Sequence, residues 1–304
     1  MEKDIQSLNQ KFAIPQIATF SLGNGQLPRL NLTTQHANLE IYLQGATLTN
    51  YQPHQQKPIL FTSPKSNYQP HKAIRGGIPI CFPWFAQNNQ NKDLPMHGLA
   101  RTATFTPLDI TPHQDQSITA TFQLKSSPAT LKIWPHPFLL KYQITLADAL
   151  QIEITATNTG SQPFHFEQAL HTYFHISNLN DVQILGLENT HYIDKTDQFK
   201  QKQFPAKPLK IDGFTDAVCL DTPASCRILD PAFNRQINIE KNNSQSTIIW
   251  NPHQDHIKNM SDLNDHAWSH FLCIESANVD KNRIHLPPQA SHTMTLNIHA
   301  QNLP

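Results

Sequence analysis

Two arginines and a histidine, Arg75, His97 and Arg101, lie within the segment RGGIPICFPWFAQNNQNKDLPMHGLAR. Guanidinium groups present fixed forks of donors that suit phosphate or carboxylate. Between them, Ile80-Cys81-Phe82-Pro83-Trp84-Phe85 supplies an apolar, aromatic, proline-stiffened wall. Such a combination fits a small anionic ligand with a carbon-rich face.

A second set of reactive side chains follows in FHFEQALHTYFHISNLNDVQILGLENTHYID, Phe164 to Asp194. If this is strand, His171 and Tyr173 share one face, as do His165 and Glu167. Most strand histidines merely satisfy core hydrogen bonds, so His165, His171 and His175 carry no role by type alone. Farther on, FLCIESAN places Glu275 after apolar residues, where a carboxylate must be ion-paired or face a pocket. Asp216 precedes another strand-like run, a position more often used for turn chemistry. A histidine and a carboxylate meeting in one pocket form a plausible acid/base pair near neutral pH.

Competing chemistries find less support. The chain has 17 histidines but no HxH or HExxH cluster with a third ligand, so no metal is expected. His253 and His256 flank Asp255 in what reads as a solvated loop. GxGxxG, GxxxxGK[ST] and GxSxG are absent, which removes nucleotide cradles and the hydrolase nucleophile elbow. No cofactor is implied.

The elements that must position these groups read as strands. Period-two alternation runs through Leu39 to Leu43, Ser117 to Leu124, Leu140 to Leu146, Leu150 to Asn158, Arg235 to Glu240 and His292 to His299. Turn-forming residues separate them, and the 23 prolines disfavour long helices. We expect an all-β protein, a large antiparallel β-sandwich with few short helices, one near the first dozen residues and one near Asp262 to Trp268. Gln87 to Asp93 reads as a loop and Lys195 to Lys210 as an exposed connection. With no internal repeat and no long linker, residues 1–304 are expected to form a single domain.

Lys+Arg equals Asp+Glu at 23 each, and no basic block occurs, which argues against nucleic-acid binding. No apolar run reaches membrane-spanning length, and the amino terminus does not read as a signal peptide. The four cysteines, Cys81, Cys219, Cys226 and Cys273, show neither CxxC nor zinc spacing. A reducing, cytoplasmic setting is expected, with the three N-x-S/T sequons unused.

Taken in order, Arg75-Gly76-Gly77-Ile78-Pro79, Phe82-Pro83-Trp84-Phe85, Leu94-Pro95-Met96-His97-Gly98-Leu99-Ala100-Arg101, Ala169-Leu170-His171-Thr172-Tyr173-Phe174, Tyr192-Ile193-Asp194-Lys195, Trp250-Asn251-Pro252 and Cys273-Ile274-Glu275 resemble the aldose 1-epimerase (galactose mutarotase-like) superfamily. The pattern is most similar to its hexose-6-phosphate mutarotase, or glucose-6-phosphate 1-epimerase, branch. That resemblance implies the galactose mutarotase-like sandwich and interconversion of the α and β anomers of a hexose 6-phosphate. It implies His171 as general acid on the ring oxygen and Glu275 as general base on the anomeric hydroxyl. By the same resemblance, Arg75, His97, Arg101 and Asp216 bind a small-molecule sugar phosphate, the arginines at its phosphate, in a monomer. Departures fall at Met96, where some relatives carry a polar residue, at His253, where an aromatic is common, and at Ser276, where proline often follows the glutamate.

Three rivals remain at this point. A neutral aldose 1-epimerase would not need the two arginines. A non-catalytic carbohydrate binder on the same sandwich would not need both His171 and Glu275. A metal-dependent cupin-like enzyme would use the many histidines as ligands.

Overall fold

A computed structural model describes residues 2–88 and 90–303 of the chain. Its strands form two eight-stranded sheets, a four-stranded sheet and a two-stranded sheet, and every pairing within the named strands is antiparallel. The four-stranded sheet is a meander of Ala18–Leu22, Pro28–Thr33, Ala37–Tyr42 and Thr47–Pro53.

The back sheet runs Gln183–Leu185, Cys226–Asp230, Arg235–Asn242, Ser291–Asn302, Leu150–Asn158, Phe138–Leu146, Ile118–Lys125 and Thr106–Pro112. Its strands alternate as their sequences require: in Leu150–Asn158 every second residue is buried. The inward side chains Leu140, Tyr142, Ile152, Ile154, Ile237, Leu296 and Ile298 join one apolar core with Leu30, Leu39 and Leu48 of the meander.

The site sheet runs Lys200–Gln203, His191–Asp194, Thr215–Leu220, Ser246–Asn251, Phe271–Asn278, Gln168–Leu170 and Ile80–Cys81, with Tyr173–His175 also paired to Phe271–Asn278. All eight residues of Phe271–Asn278 are buried, so this strand is covered on both faces. Leu272 and Ile274 enter the shared core, whereas Phe271 and Cys273 join a separate cluster on the opposite side. The same division holds in its neighbours: Ala217 and Ile249 face the core, and Val218 and Ile248 face away. Glu275 and Asp216 fall on this second face by period two.

Helices are few among the described residues. Glu2–Phe12 is helical, as the sequence suggests. Asp262 to Trp268 is not: only a 3-10 turn at Ala267–His270 forms there. Asp262 is instead pinned by tertiary bonds, its carboxylate to Arg75 and its carbonyl to the Ser63 hydroxyl (2.6 Å). Two short helices went unread in the sequence, Pro128–Ile133 and His253–His256. The first has a legible start, since Ser127 accepts from Thr130 N–H and Pro128 opens the helix. Lys195 to Lys210 is also more ordered than expected, because Lys200–Gln203 forms the edge strand of the site sheet. The segment from Gln87 to Asp93 is loop, with Asn89 outside the described residues.

Gly77 shows why the arginine segment carries paired glycines. It sits at φ +68, and a Cβ there would lie 1.9 Å from the Leu48 carbonyl oxygen, which is fixed backbone. Gly77→Ala is therefore expected to destabilise by well over the ~1–2 kcal/mol of a left-handed alanine alone. A denaturant midpoint unchanged from the parent would refute this.

Candidate active site

His171 leaves the strand Gln168–Leu170 just before the chain rejoins the same partner at Tyr173–His175. The register runs in step from Leu170↔Ser276 to Tyr173↔Cys273, which sets His171 opposite Glu275. Directly opposed residues are neighbours on one face of a sheet. Accordingly, His171 Nε2 lies 3.4 Å from Glu275 Oε1. The contact is looser than a formed hydrogen bond. Both groups sit in the wall of a cavity of ≈ 1120 Å³.

Burial governs their ionisation. Glu275 is 1% exposed and His171 7%. Burial pulls the imidazole down to about 3, assisted by the positive charges of Arg101, Arg75 and Lys195. Burial pushes the carboxyl well above its ordinary value, and Asp216 adds to the rise. Both shifts work against charge on the pair. Glu275 Oε2 and His171 Nδ1 are buried without a hydrogen-bond partner, a cost that a purely structural pair would be expected to avoid.

A neutral buried histidine must gain a proton on unfolding in acid. His171 therefore lowers stability as pH falls from the unfolded value near 6.5 towards 3, and its contribution is complete above that window. Replacing it with asparagine is expected to flatten part of the acid limb of the thermal-midpoint profile, and an identical limb would refute the assignment.

The remaining expected residues are arranged unevenly around this pair. Arg75 lines the cavity, its Nε bonded to Asp262 (2.9 Å) and its Nη1 donating to Tyr173 Oη (3.0 Å). Burial pulls it down, yet Tyr173 and Asp262 hold it above its usual value. His97 lines the cavity edge-on to His171, ring centres 5.5 Å apart. Its Nδ1 accepts from Ala86 N–H (3.1 Å), which places the proton of the neutral ring on Nε2 as a donor. Burial, then Arg101 and His171, keep that ring well below its ordinary value. Asp216 also lines the cavity, and burial raises its carboxyl. Arg101 is set apart: its Nη2 donates to the Met96 carbonyl (2.7 Å), and it does not line the cavity. Its charge nevertheless acts on both His97 and His171.

Several participants carried no role in the sequence reading. Lys195, read there as the start of an exposed connection, lines the cavity, with Nζ 3.7 Å from Asp216 and 4.9 Å from the Phe85 ring centre. Tyr173 stacks on His171 at 4.8 Å and 9°, bearing out the shared face. Glu167 accepts from Phe85 N–H (2.8 Å) and Asp280 N–H (2.7 Å), tying two cavity loops together. His256, expected in a solvated loop, lies in the short helix His253–His256 and stacks on Phe214 at 4.1 Å beside the cavity. Its partner His253 tilts against Trp268 at 4.5 Å. Among the described residues no group of three or more His, Cys, Asp or Glu side chains could hold a metal ion.

The sequence profile of the family described as aldose 1-epimerase matches residues 28–299. The chain belongs to the aldose 1-epimerase family. A protein of this kind from Cenchrus ciliaris, named "Putative glucose-6-phosphate 1-epimerase", is 32% identical over 80% of this chain and 75% of its own length. One of the same name from Salmonella typhimurium is 31% identical over 88% of this chain and 91% of that protein. A crystal structure of a "putative mutarotase" from Salmonella typhimurium superposes with a TM-score of 0.89 at 25% identity, covering 96% of each chain. A galactose mutarotase-related enzyme from Lactobacillus acidophilus shares the fold at a TM-score of 0.74 and 14% identity, over 90% of this chain and 97% of that one. The aldose 1-epimerase assignment accords with the antiparallel architecture that alternation alone suggested. It makes the protein an isomerase of sugar anomers, acting on a small-molecule sugar.

Proposed function

We propose that the chain is a glucose-6-phosphate 1-epimerase, and that His171 and Glu275 perform its proton transfers. One observation carries the catalytic assignment: an imidazole and a carboxyl, 3.4 Å apart, sit side by side in the wall of one cavity. The ring oxygen O5 and the hydroxyl O1 of a pyranose are bonded to the same carbon. A single pair of neighbouring groups can therefore serve both.

With the proton on His171, the Glu275 carboxylate removes the proton of the C1 hydroxyl. His171 donates to O5, the C1–O5 bond breaks, and an open-chain aldehyde forms. Rotation about C1–C2 presents the other carbonyl face, and closure with both transfers reversed gives the opposite anomer. Each transfer of this type contributes about 10²–10⁴-fold. His97 offers its Nε2–H, and Asp216 an acceptor, to the sugar hydroxyls. Neither a redox step nor a covalent intermediate is needed.

The phosphate assignment rests on Arg75 and on the relatives' names. Arg75 lines the cavity, and Lys72 and Lys195 add two further cations there. Arg101 contributes its charge from behind the Met96 carbonyl. The same proposal includes one domain, one copy per molecule and a cytoplasmic setting, which the four free, buried cysteines suit. No helix among the described residues is long and apolar enough to cross a membrane.

Anomeric exchange of glucose 6-phosphate, followed by NMR, tests the reading. Exchange above the spontaneous rate, and faster than with glucose, is the expected result. Greater activity on glucose would favour a neutral aldose 1-epimerase, and binding with no acceleration would favour a carbohydrate-binding protein.

A further inference from the structure

We propose that Glu167 is a positioning residue: its carboxylate clamps the segment that orients His97, so that the imidazole presents Nε2–H to the sugar. The inference rests on the substrate-binding role given to His97 above and supplies the group that enforces it.

Glu167 occupies the single-residue break where the chain passes from one sheet to another. Phe164–Phe166 pairs with Ile284–Leu286 in the two-stranded sheet, and Gln168–Leu170 pairs with Phe271–Asn278 in the site sheet. Its side chain lines the cavity shortly before His171. Both carboxylate oxygens accept from backbone donors, Oε2 from Phe85 N–H (2.8 Å) and Oε1 from Asp280 N–H (2.7 Å). Its own N–H donates to the Pro83 carbonyl (2.9 Å). Main chain and side chain therefore grip Pro83 to Phe85 together. The Asp280 bond anchors that grip to the turn Asp280–Asn282, just beyond the strand that carries Glu275.

The next amide along, Ala86 N–H, is the one that donates to His97 Nδ1 (3.1 Å). His97 N–H donates back to the Ala86 carbonyl (2.8 Å), and the Phe85 ring meets the His97 ring edge-on at 4.8 Å. Ala86 and His97 both hold left-handed backbone, φ +59 and +63, which non-glycine residues keep where their surroundings impose it. A carboxylate suits the task because it accepts from two amides at once. Without the clamp, the link between Phe85 and Ala86 is free to turn its N–H away from Nδ1. The neutral ring can then carry its proton on Nδ1, and His97 offers the sugar an acceptor in place of a donor.

Two-bond nitrogen–proton NMR of full-length, histidine-labelled protein reads the tautomer directly, with the His97 ring assigned by its loss in His97→Ala. The parent is expected to hold the Nε2–H form at pH 7, and a predominant Nδ1–H form overturns the inference. Glu167→Ala should weaken that bias by roughly 3- to 10-fold, the worth of one hydrogen bond, and lower kcat/KM for glucose 6-phosphate by a similar factor. In a His97→Ala background the same substitution should cost less than about twofold, because nothing remains for it to position. Stability lost with Glu167 is common to both backgrounds and cancels in that comparison. A loss that multiplies in full, or an unchanged His97 tautomer in Glu167→Ala, overturns the inference. Should Glu167→Ala fail to fold, Glu167→Gln takes its place in the same cycle, since its amide has one acceptor oxygen for two N–H donors. Absence of glucose 6-phosphate turnover by the parent overturns the functional reading alone, and the tautomer measurements still decide this one.

Discussion

Glu275→Gln is expected to lower anomeric exchange of glucose 6-phosphate by ~10²–10⁴-fold, towards the spontaneous rate, with the fold intact. An amide keeps the shape of the carboxyl but cannot take the C1 hydroxyl proton or pass one to His171. Stability should respond in the opposite sense. Burial works against the ionised carboxyl, and one of its oxygens has no partner. Removing an ionisable group from so dry a position is expected to hold or raise the thermal midpoint. NMR exchange spectroscopy and a thermal melt on the same preparation check both halves. Retention of more than a tenth of parental activity would remove Glu275 from the mechanism.

Arg75→Ala gives the second large effect, and the choice of substrate reads it out. Truncating one partner of a buried, hydrogen-bonded charge pair costs roughly 2–4 kcal/mol, or about 30- to 1000-fold in kcat/KM for glucose 6-phosphate. The variant also leaves Asp262 and the Tyr173 hydroxyl without their partner, so some loss of stability will accompany it. That loss is common to all substrates. The ratio of kcat/KM for glucose 6-phosphate to that for glucose isolates the anion contact, and it should collapse. A ratio within about threefold of the parent's would shift the phosphate site away from Arg75.

Legibility in the sequence followed the environment of each strand. Leu150–Asn158 and Phe138–Leu146 pack one face on the core and turn the other outward, so their residues alternate and their bounds were read closely. The site sheet is harder, because Phe271–Asn278 is covered on both sides and its polarity hardly alternates. There the signal was the misfit: a glutamate among apolar residues. His171 was singled out by motif resemblance, since its position opposite Glu275 depends on a register that a sequence does not display. Lys195 was passed over for a related reason. It closes a polar hairpin that reads as solvated, and only tertiary folding brings its ammonium beside Asp216 and Phe85. Arg101 shows the converse, a donor of the right type whose guanidinium is engaged by a backbone carbonyl.

The strand that bears Glu275 also ties inheritance of activity to inheritance of stability. Leu272 and Ile274 press into the shared core from the reverse side of the same pleat. Natural variation that resizes either one will tilt the carboxylate against its histidine. Drift in the hydrophobic interior is thereby exposed to selection for turnover, even where the protein remains comfortably folded.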